Sequence, residues 1–430
     1  MGPTFDRRRF LSATGLAFGA LAASGCHARG HAIVSAEGYG PLVPNPAGLI
    51  DLPDGFSYRI LSKRGQAMSD GGTVPDAADG MGCFALPGGK LALVRNHELV
   101  VTQDSGGATG AAYDRLNGGA PLPGGTTTLI LDAATLTVEQ QFRSLSGTIR
   151  NCSGGVTPWG SWLSCEEDVS PAGGQLGRSH GWVFEVPASA TGPVNPVPLK
   201  AMGRFNHEAA AVDPASGKVY LTEDREDGLL YRFTPAVPGQ LARGGVLEAL
   251  SLVAGDPLIR PGEWRKARWI PLDNVASPAD DLRQRGAALG ALRFARGEGI
   301  HMGRGELYFT CTSGGAAKLG QVFRLVPGQY SDRLQLFFES TDAGQFNYGD
   351  NLTVATDGQL IVCEDQYTAI TDNHVRGITV DGLPYPIAKS RIQTEFAGAC
   401  FSPDGQVLFL NLYSPARTLA ITGPWAHLGV

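Results

Sequence analysis

Charge is scarce in this sequence: Asp, Glu, Lys and Arg make up only 18 % of its 430 residues. Long amphipathic helices need a charged face, so the shortage argues against a mainly helical chain. An excess of basic residues is also missing. The 35 Lys and Arg stand against 41 Asp and Glu, a formal charge of −6, which excludes nucleic acid as the main partner. Seven cysteines are few for this length, and a chain this long does not depend on disulfide staples. What is plentiful is 59 Gly and 28 Pro. Many breakers and little charge predict short strands joined by tight turns.

The first residues read as an address. Arg7, Arg8 and Arg9 precede Phe10-Leu11 and a mildly apolar run to Ala23. That is the pattern of a twin-arginine export signal, and the run is too short and too rich in Ala and Gly to span a membrane well. The expected partner is the twin-arginine translocation machinery, with no stable membrane insertion and a periplasmic or extracellular destination. Cleavage after Ala28 is the preferred processing, with lipidation at Cys26 as the alternative. Residues 29–430 then form one domain.

An internal repeat organises that domain. Six turn glycines, Gly89, Gly160, Gly217, Gly305, Gly358 and Gly405, each follow a small-residue segment and precede a short apolar strand such as Lys90-Leu-Ala-Leu-Val94 or Gln359-Leu-Ile-Val362. Each unit reads as a β-hairpin. Outer strands recur as Gly181-Trp-Val-Phe-Glu-Val and Gly320-Gln-Val-Phe-Arg-Leu. Six units of four strands predict an all-β, six-bladed β-propeller whose innermost strands line a central channel. The long interval around 260–292 reads as an insertion between blades.

The repeat also aligns polar residues. Asp79, Cys152, Glu208, Glu298, Asp350 and Glu395 stand seven to ten residues before the glycines, and Glu166, Glu223, Cys311, Glu364 and Asn411 stand six after. In a hairpin these two positions meet at one end, so both sets are expected on one face. Several ionised carboxylates share a small space only with cations between them. Oxygen ligands favour Ca²⁺, Mg²⁺ or Mn²⁺, and a thiolate beside them suggests a transition metal. Arg296, two residues before Glu298, points to the same side of its strand and suits a phosphate. Cys165, Cys311, Cys363, Cys83 and Cys400 read as buried small hydrophobes, and His97 and His207, each in an Asn-His-Glu triplet, as hydrogen-bonding neighbours rather than ligands.

Asn151-Cys152-Ser-Gly-Gly-Val-Thr-Pro-Trp-Gly-Ser-Trp-Leu-Ser-Cys165-Glu166-Glu167 resembles the signature of PhoX-type alkaline phosphatases. Asn96-His97-Glu98, His207-Glu208, Arg296-Gly-Glu298-Gly and Asp350-Asn351-Leu are similar to further motifs of that family, in order from about residue 80 to 415. The resemblance implies an exported, metal-dependent phosphomonoesterase acting on a small phosphate ester. It implies a mixed cluster of Fe³⁺ and Ca²⁺ with an oxide that takes part in attack on phosphorus. Carried over by motif, Cys152, Glu166, Glu208, Glu298 and Asp350 are the implied metal ligands. Arg296 is the implied phosphate arginine, with Glu298 beside it in the catalytic pair. The sequence departs from the family at Glu223-Asp224 and at Asn411-Leu-Tyr-Ser-Pro. Two other readings are a single-calcium lactonase or esterase on the same kind of propeller, which needs neither Cys152 nor Arg296, and a non-catalytic binding propeller.

Overall fold

The computed structural model describes residues 36–107, 110–366 and 372–425. The predicted export signal, with Arg7 to Arg9, Cys26 and Ala28, lies outside them. The regular structure of the described chain is almost entirely β-strand, and its one α-helix, Leu282–Ala288, falls in the predicted insertion.

All six predicted turn glycines have left-handed φ values, from 70° at Gly89 to 96° at Gly358. A side chain there would be strained, which is why glycine punctuates every unit. Each glycine joins an antiparallel pair: Ala78–Leu86 with Lys90–His97, Asn151–Val156 with Ser161–Glu166, His207–Val212 with Val219–Glu223, Gly297–Met302 with Leu307–Cys311, Gly349–Val354 with Leu360–Glu364, and Phe396–Phe401 with Val407–Leu412. The first strand of each pair packs against the first strand of the next, and the sixth returns to the first. The ring is closed, so the fold is a β-propeller.

Strand alternation builds the core between blades. Along Lys90–His97, Leu91 and Leu93 join the cluster shared with the last blade, whereas Ala92 and Val94 join the cluster shared with the second. Period-two geometry sends successive side chains to opposite neighbours, so both faces must be apolar. Small residues line the innermost strands because the backbones crowd there. A methyl on Gly155 would lie 1.9 Å from the Ala210 carbonyl oxygen. Cys165, Cys311, Cys363 and Cys400 are buried in the inter-blade clusters, and no described cysteine is disulfide-bonded.

Four strands per blade does not hold throughout. The Cys152 blade has three: Asn151–Val156, Ser161–Glu166 and Val183–Pro187. Within the insertion, Trp264–Pro271 pairs with Gly245–Leu252 on one side and Asp332–Glu339 on the other, fusing two blades at their outer edges into a nine-stranded sheet. The strand Ser57–Lys63 completes the last blade by pairing with Arg417–Thr422.

Candidate active site

Every first strand of the six hairpins carries a β-bulge at its start. The pairing slips between Ala78 and Met81, Asn151 and Gly154, His207 and Ala210, Gly297 and Ile300, Gly349 and Leu352, and Ala397 and Cys400. A bulge lets one residue leave the alternation and re-aims its side chain. The residues released are Asp79, Cys152, Glu208, Glu298, Asp350 and Gly398, and the first five line one cavity of about 500 Å³.

Neighbouring blades pin these bulges. The Asn96 amide donates to the Cys152 and Ser153 carbonyls, at 3.1 and 2.6 Å. The Thr222 hydroxyl donates to Glu298 O at 2.5 Å, Thr310 to Asp350 O at 2.8 Å, and the Asn411 amide to Asp79 O at 2.7 Å. Buried bonds of this kind fix a backbone in place before any ligand arrives. His97 and His207 turn away from the cavity: His97 Nδ1 meets Asp76 O at 2.8 Å, and His207 Nε2 meets Gly203 O at 3.0 Å.

The second set of polar residues sits one position further along than its sequence spacing predicts. Glu166 does not reach the cavity. Its Oε1 accepts from Ile149 N at 3.1 Å and pairs with His180 Nδ1 at 2.6 Å, and its Oε2 accepts from Gly181 N and Trp182 N at 3.0 and 3.2 Å. Glu364 repeats the device with Asn347 N and His374 N, and Glu223 with Leu229 N and the Tyr231 hydroxyl. Consecutive residues of a strand face opposite ways, so the cavity receives the next residue instead: Glu167, Asp224 and Asp365. Glu98 and Tyr413 fill the same role in the first and last blades. Glu166 is therefore held as a clasp inside its blade, away from the cavity lining. Its replacement by Ala is expected to lower unfolding stability by about 3 kcal/mol or more, the scale for stranding buried partners of a charge. Bound metal per folded molecule should stay constant. Urea unfolding with metal analysis checks this; metal loss at unchanged stability would reverse the placement.

Nine carboxylates and one thiol line the cavity, against two arginines, Arg150 and Arg296, among the described residues. Ligand atoms of Asp79, Glu98 and Cys152 lie within 4.8 Å of one another, as do those of Cys152, Glu167 and Glu208, and those of Glu208, Glu298 and Asp350. Burial, then repulsion from Asp350 and Glu167, pushes the Glu208 carboxyl far above its ordinary range. Asp79 and Glu298 are raised in the same way, and Asp350 is pushed up to about 7. Burial and the nearby acids also push the Cys152 thiol up. Both Glu208 oxygens are buried without a hydrogen-bond partner, as is Asp79 Oδ1. A buried carboxylate with both oxygens unmatched is costly in protein alone and is satisfied by a cation. The donor set thus fits metal ions.

Arg296 holds φ at 54° and forks onto Asp224, with Nε and Nη2 at 2.8 and 2.9 Å from the two oxygens; Nη2 also reaches Glu298 Oε1 at 2.6 Å. Arg150, unmarked by any sequence signal except the repeat itself, bonds Glu98 and Glu167. Glu395 lines the cavity from the loop before its strand, because Gly398 takes the bulge position in that blade.

The family model described as alkaline phosphatase PhoX matches residues 37–140 and 124–416. The chain belongs to the PhoX alkaline phosphatase family. PhoX enzymes are phosphomonoesterases, so the acidic cavity at the propeller mouth is set in a phosphatase fold. The structure of Pseudomonas fluorescens PhoX in complex with vanadate, a transition state analogue, is similar to this chain with a TM-score of 0.70 at 19 % identity, covering 89 % of this chain and 97 % of that one. A gluconolactonase from Xanthomonas campestris, XC5397, aligns with a TM-score of 0.44 at 14 % identity over 90 % of this chain and 98 % of that one. No curated protein matches in sequence.

Proposed function

We propose that this PhoX-family chain hydrolyses small phosphomonoesters with a cluster of iron and calcium held in the acidic cavity. The observation that carries the reading is Glu208, buried with both oxygens unpartnered between the two acid groups that share it. Cys152, Glu208, Glu298 and Asp350 would hold the ions, with Glu167 in the role first assigned to Glu166, and Asp79 and Glu98 beside Cys152. The thiol suits iron and the purely carboxylate group suits calcium. Bound there, the ions would polarise phosphoryl oxygens and neutralise the charge that develops on them.

The chain's own residues supply the rest. Arg296 has both hydrogens of Nη1 without a partner among the described residues and can turn them to a phosphoryl oxygen. Its fork on Asp224 fixes the guanidinium plane, so little freedom is lost on binding. The bulges and the side chains that pin them hold the acids in place before substrate arrives. The arginine-rich start supports export as a folded protein through the twin-arginine route to the periplasm or beyond, with residues 1–28 removed.

The test is iron and calcium content of purified protein, with release of p-nitrophenol from its phosphate. Iron with visible charge-transfer colour that disappears in Cys152→Ser is the expected result. Iron-containing but colourless protein, or hydrolysis of lactones without phosphate esters, would overturn it.

A further inference from the structure

Arg150 and Arg296 occupy the same place in the repeat. Each stands two residues before a bulge residue, Cys152 and Glu298. Both hold left-handed φ, 46° and 54°, a conformation uncommon outside glycine. Their backbones are bonded alike. Arg150 N donates to Leu99 O and Arg296 N to Arg225 O, in each case the residue just after the preceding blade's cavity acid. Their carbonyls accept from Glu167 N and Thr312 N, at the ends of their own hairpins. Their side chains follow the same rule, Arg150 reaching back to Glu98 and Arg296 back to Asp224. In the other blades the equivalent carbonyl bond is accepted by Ala77, Asn206 and Tyr348, and in the last blade by Glu395, three rather than two residues before its bulge residue. The repeat thus dictates this carbonyl bond, and an arginine makes it in only two of the six blades.

Those two arginines are the only cations lining the cavity among the described residues. Their side chains are 35 % and 29 % exposed, while the carboxylates they hold lie deeper, at 7 to 13 % exposure for Glu167, Glu98 and Asp224. An anion approaching from solvent therefore meets the guanidinium groups before the acids. The two are not duplicates. Arg296 sits on the group of Glu208, Glu298 and Asp350, whereas Arg150 bonds Glu98 and Glu167, which belong to the two groups sharing Cys152. The Glu208 blade stands between them in the ring. Arg150 spends four donor contacts on Glu98 and Glu167 and keeps one Nη1 hydrogen without a partner among the described residues. That suffices for one charged contact rather than a two-pronged clamp.

We infer that Arg150 is a specificity residue that contacts a second anionic group of the substrate, next to the phosphoryl group held by Arg296. The inference rests on the phosphatase reading of the cavity. It makes substrates with adjoining negative groups, such as diphosphates, better ligands than plain monoesters of similar size.

Calorimetric titration of the metal-loaded protein with orthophosphate and with pyrophosphate tests it. Wild-type protein is expected to bind pyrophosphate more tightly. Arg150→Ala should weaken pyrophosphate about tenfold, the scale of one charged hydrogen bond, and orthophosphate little, so the ratio of the two collapses. Arg150→Lys keeps the charge and should preserve most of the ratio. Arg150→Gln, which can still donate to Glu98, should lose it while holding its iron and calcium, measured in the same samples. Arg296→Ala should weaken both anions together; if it does not, the phosphate role of Arg296 fails while the Arg150 ratio is still read. An unchanged ratio in Arg150→Gln, or an altered metal content with the ratio intact, makes Arg150 a strut between two acids and overturns the inference.

Discussion

Glu208→Gln is expected to empty the cavity of bound metal and lower kcat/KM for phosphomonoesters by about 10³-fold or more, beyond the loss of one electrostatic contact because the ions themselves depart. Glu208 is the hinge of the acid array, shared by the Cys152 group and the Asp350 group. Glutamine keeps its size, so the blade should fold. The metal-free forms should show the opposite ranking. In the folded protein the Glu208 carboxyl is held well above its ordinary 4.5 by burial and by Asp350 and Glu167. A raised carboxyl stabilises the fold while protonated, and that contribution is lost as pH rises from the unfolded value through the folded one. Metal-free wild type should therefore melt at progressively lower temperature as pH climbs above about 4.5, the ordinary glutamate range. The variant, with no charge to bury there, should lose less and melt higher at pH 8. Metal analysis, p-nitrophenyl phosphate turnover and melting curves with and without chelator read all three effects. A variant that keeps its metal would remove Glu208 from the centre of the site.

Arg296→Ala is expected to lower kcat/KM about 10²- to 10³-fold with iron and calcium retained. Its fork on Asp224 and its contact with Glu298 hold the guanidinium plane, and Nη1 is the part left for substrate. Arg296→Lys should recover little, because an ammonium cannot hold Asp224 with two parallel bonds and still present donors to a phosphoryl oxygen. Glu298→Ala, two residues along, should instead lose metal and activity together. The contrast separates a substrate contact just before the strand from a metal ligand on it. Near-normal turnover in Arg296→Ala would mean that the phosphoryl group is held elsewhere in the cavity.

The repeat was legible because a turn that needs left-handed backbone must contain glycine, and six such turns at matched positions leave a visible frame. The polar residues at the start of five of the hairpins were legible for the same reason: Asp79, Cys152, Glu208, Glu298 and Asp350 all reach the cavity. The pair Glu166-Glu167 was not separable by spacing. One residue faces the blade and the next the cavity, and only the register against Asn151 decides which. Glu395 shows the same limit. It keeps the spacing of the bulge acids from the turn glycine, but its carbonyl makes the bond that Arg150 and Arg296 make in their blades, since Gly398 takes the bulge. Arg150 carries no motif of its own; aligning the residue two before each bulge would have exposed it beside Arg296. The fused outer sheet depends on Trp264–Pro271 finding two distant partners, a long-range pairing that local pattern does not encode.

The seam where Ser57–Lys63 lies along Arg417–Thr422 also sets an order of events. The partners are joined by nearly the whole described chain, so the last sheet cannot be finished until synthesis is nearly complete. Pairings between segments so far apart form slowly, because the connecting chain must first surrender its freedom. Tyr413 and Glu395, next to the two inner strands of that sheet, form one side of the cavity. Until the last blade docks against the first, the acid array is a crescent with an open flank, unable to enclose an ion from every direction. Capture of the cluster is thereby tied to completion of the chain, and a protein truncated before Arg417 should be both unclosed and metal-poor.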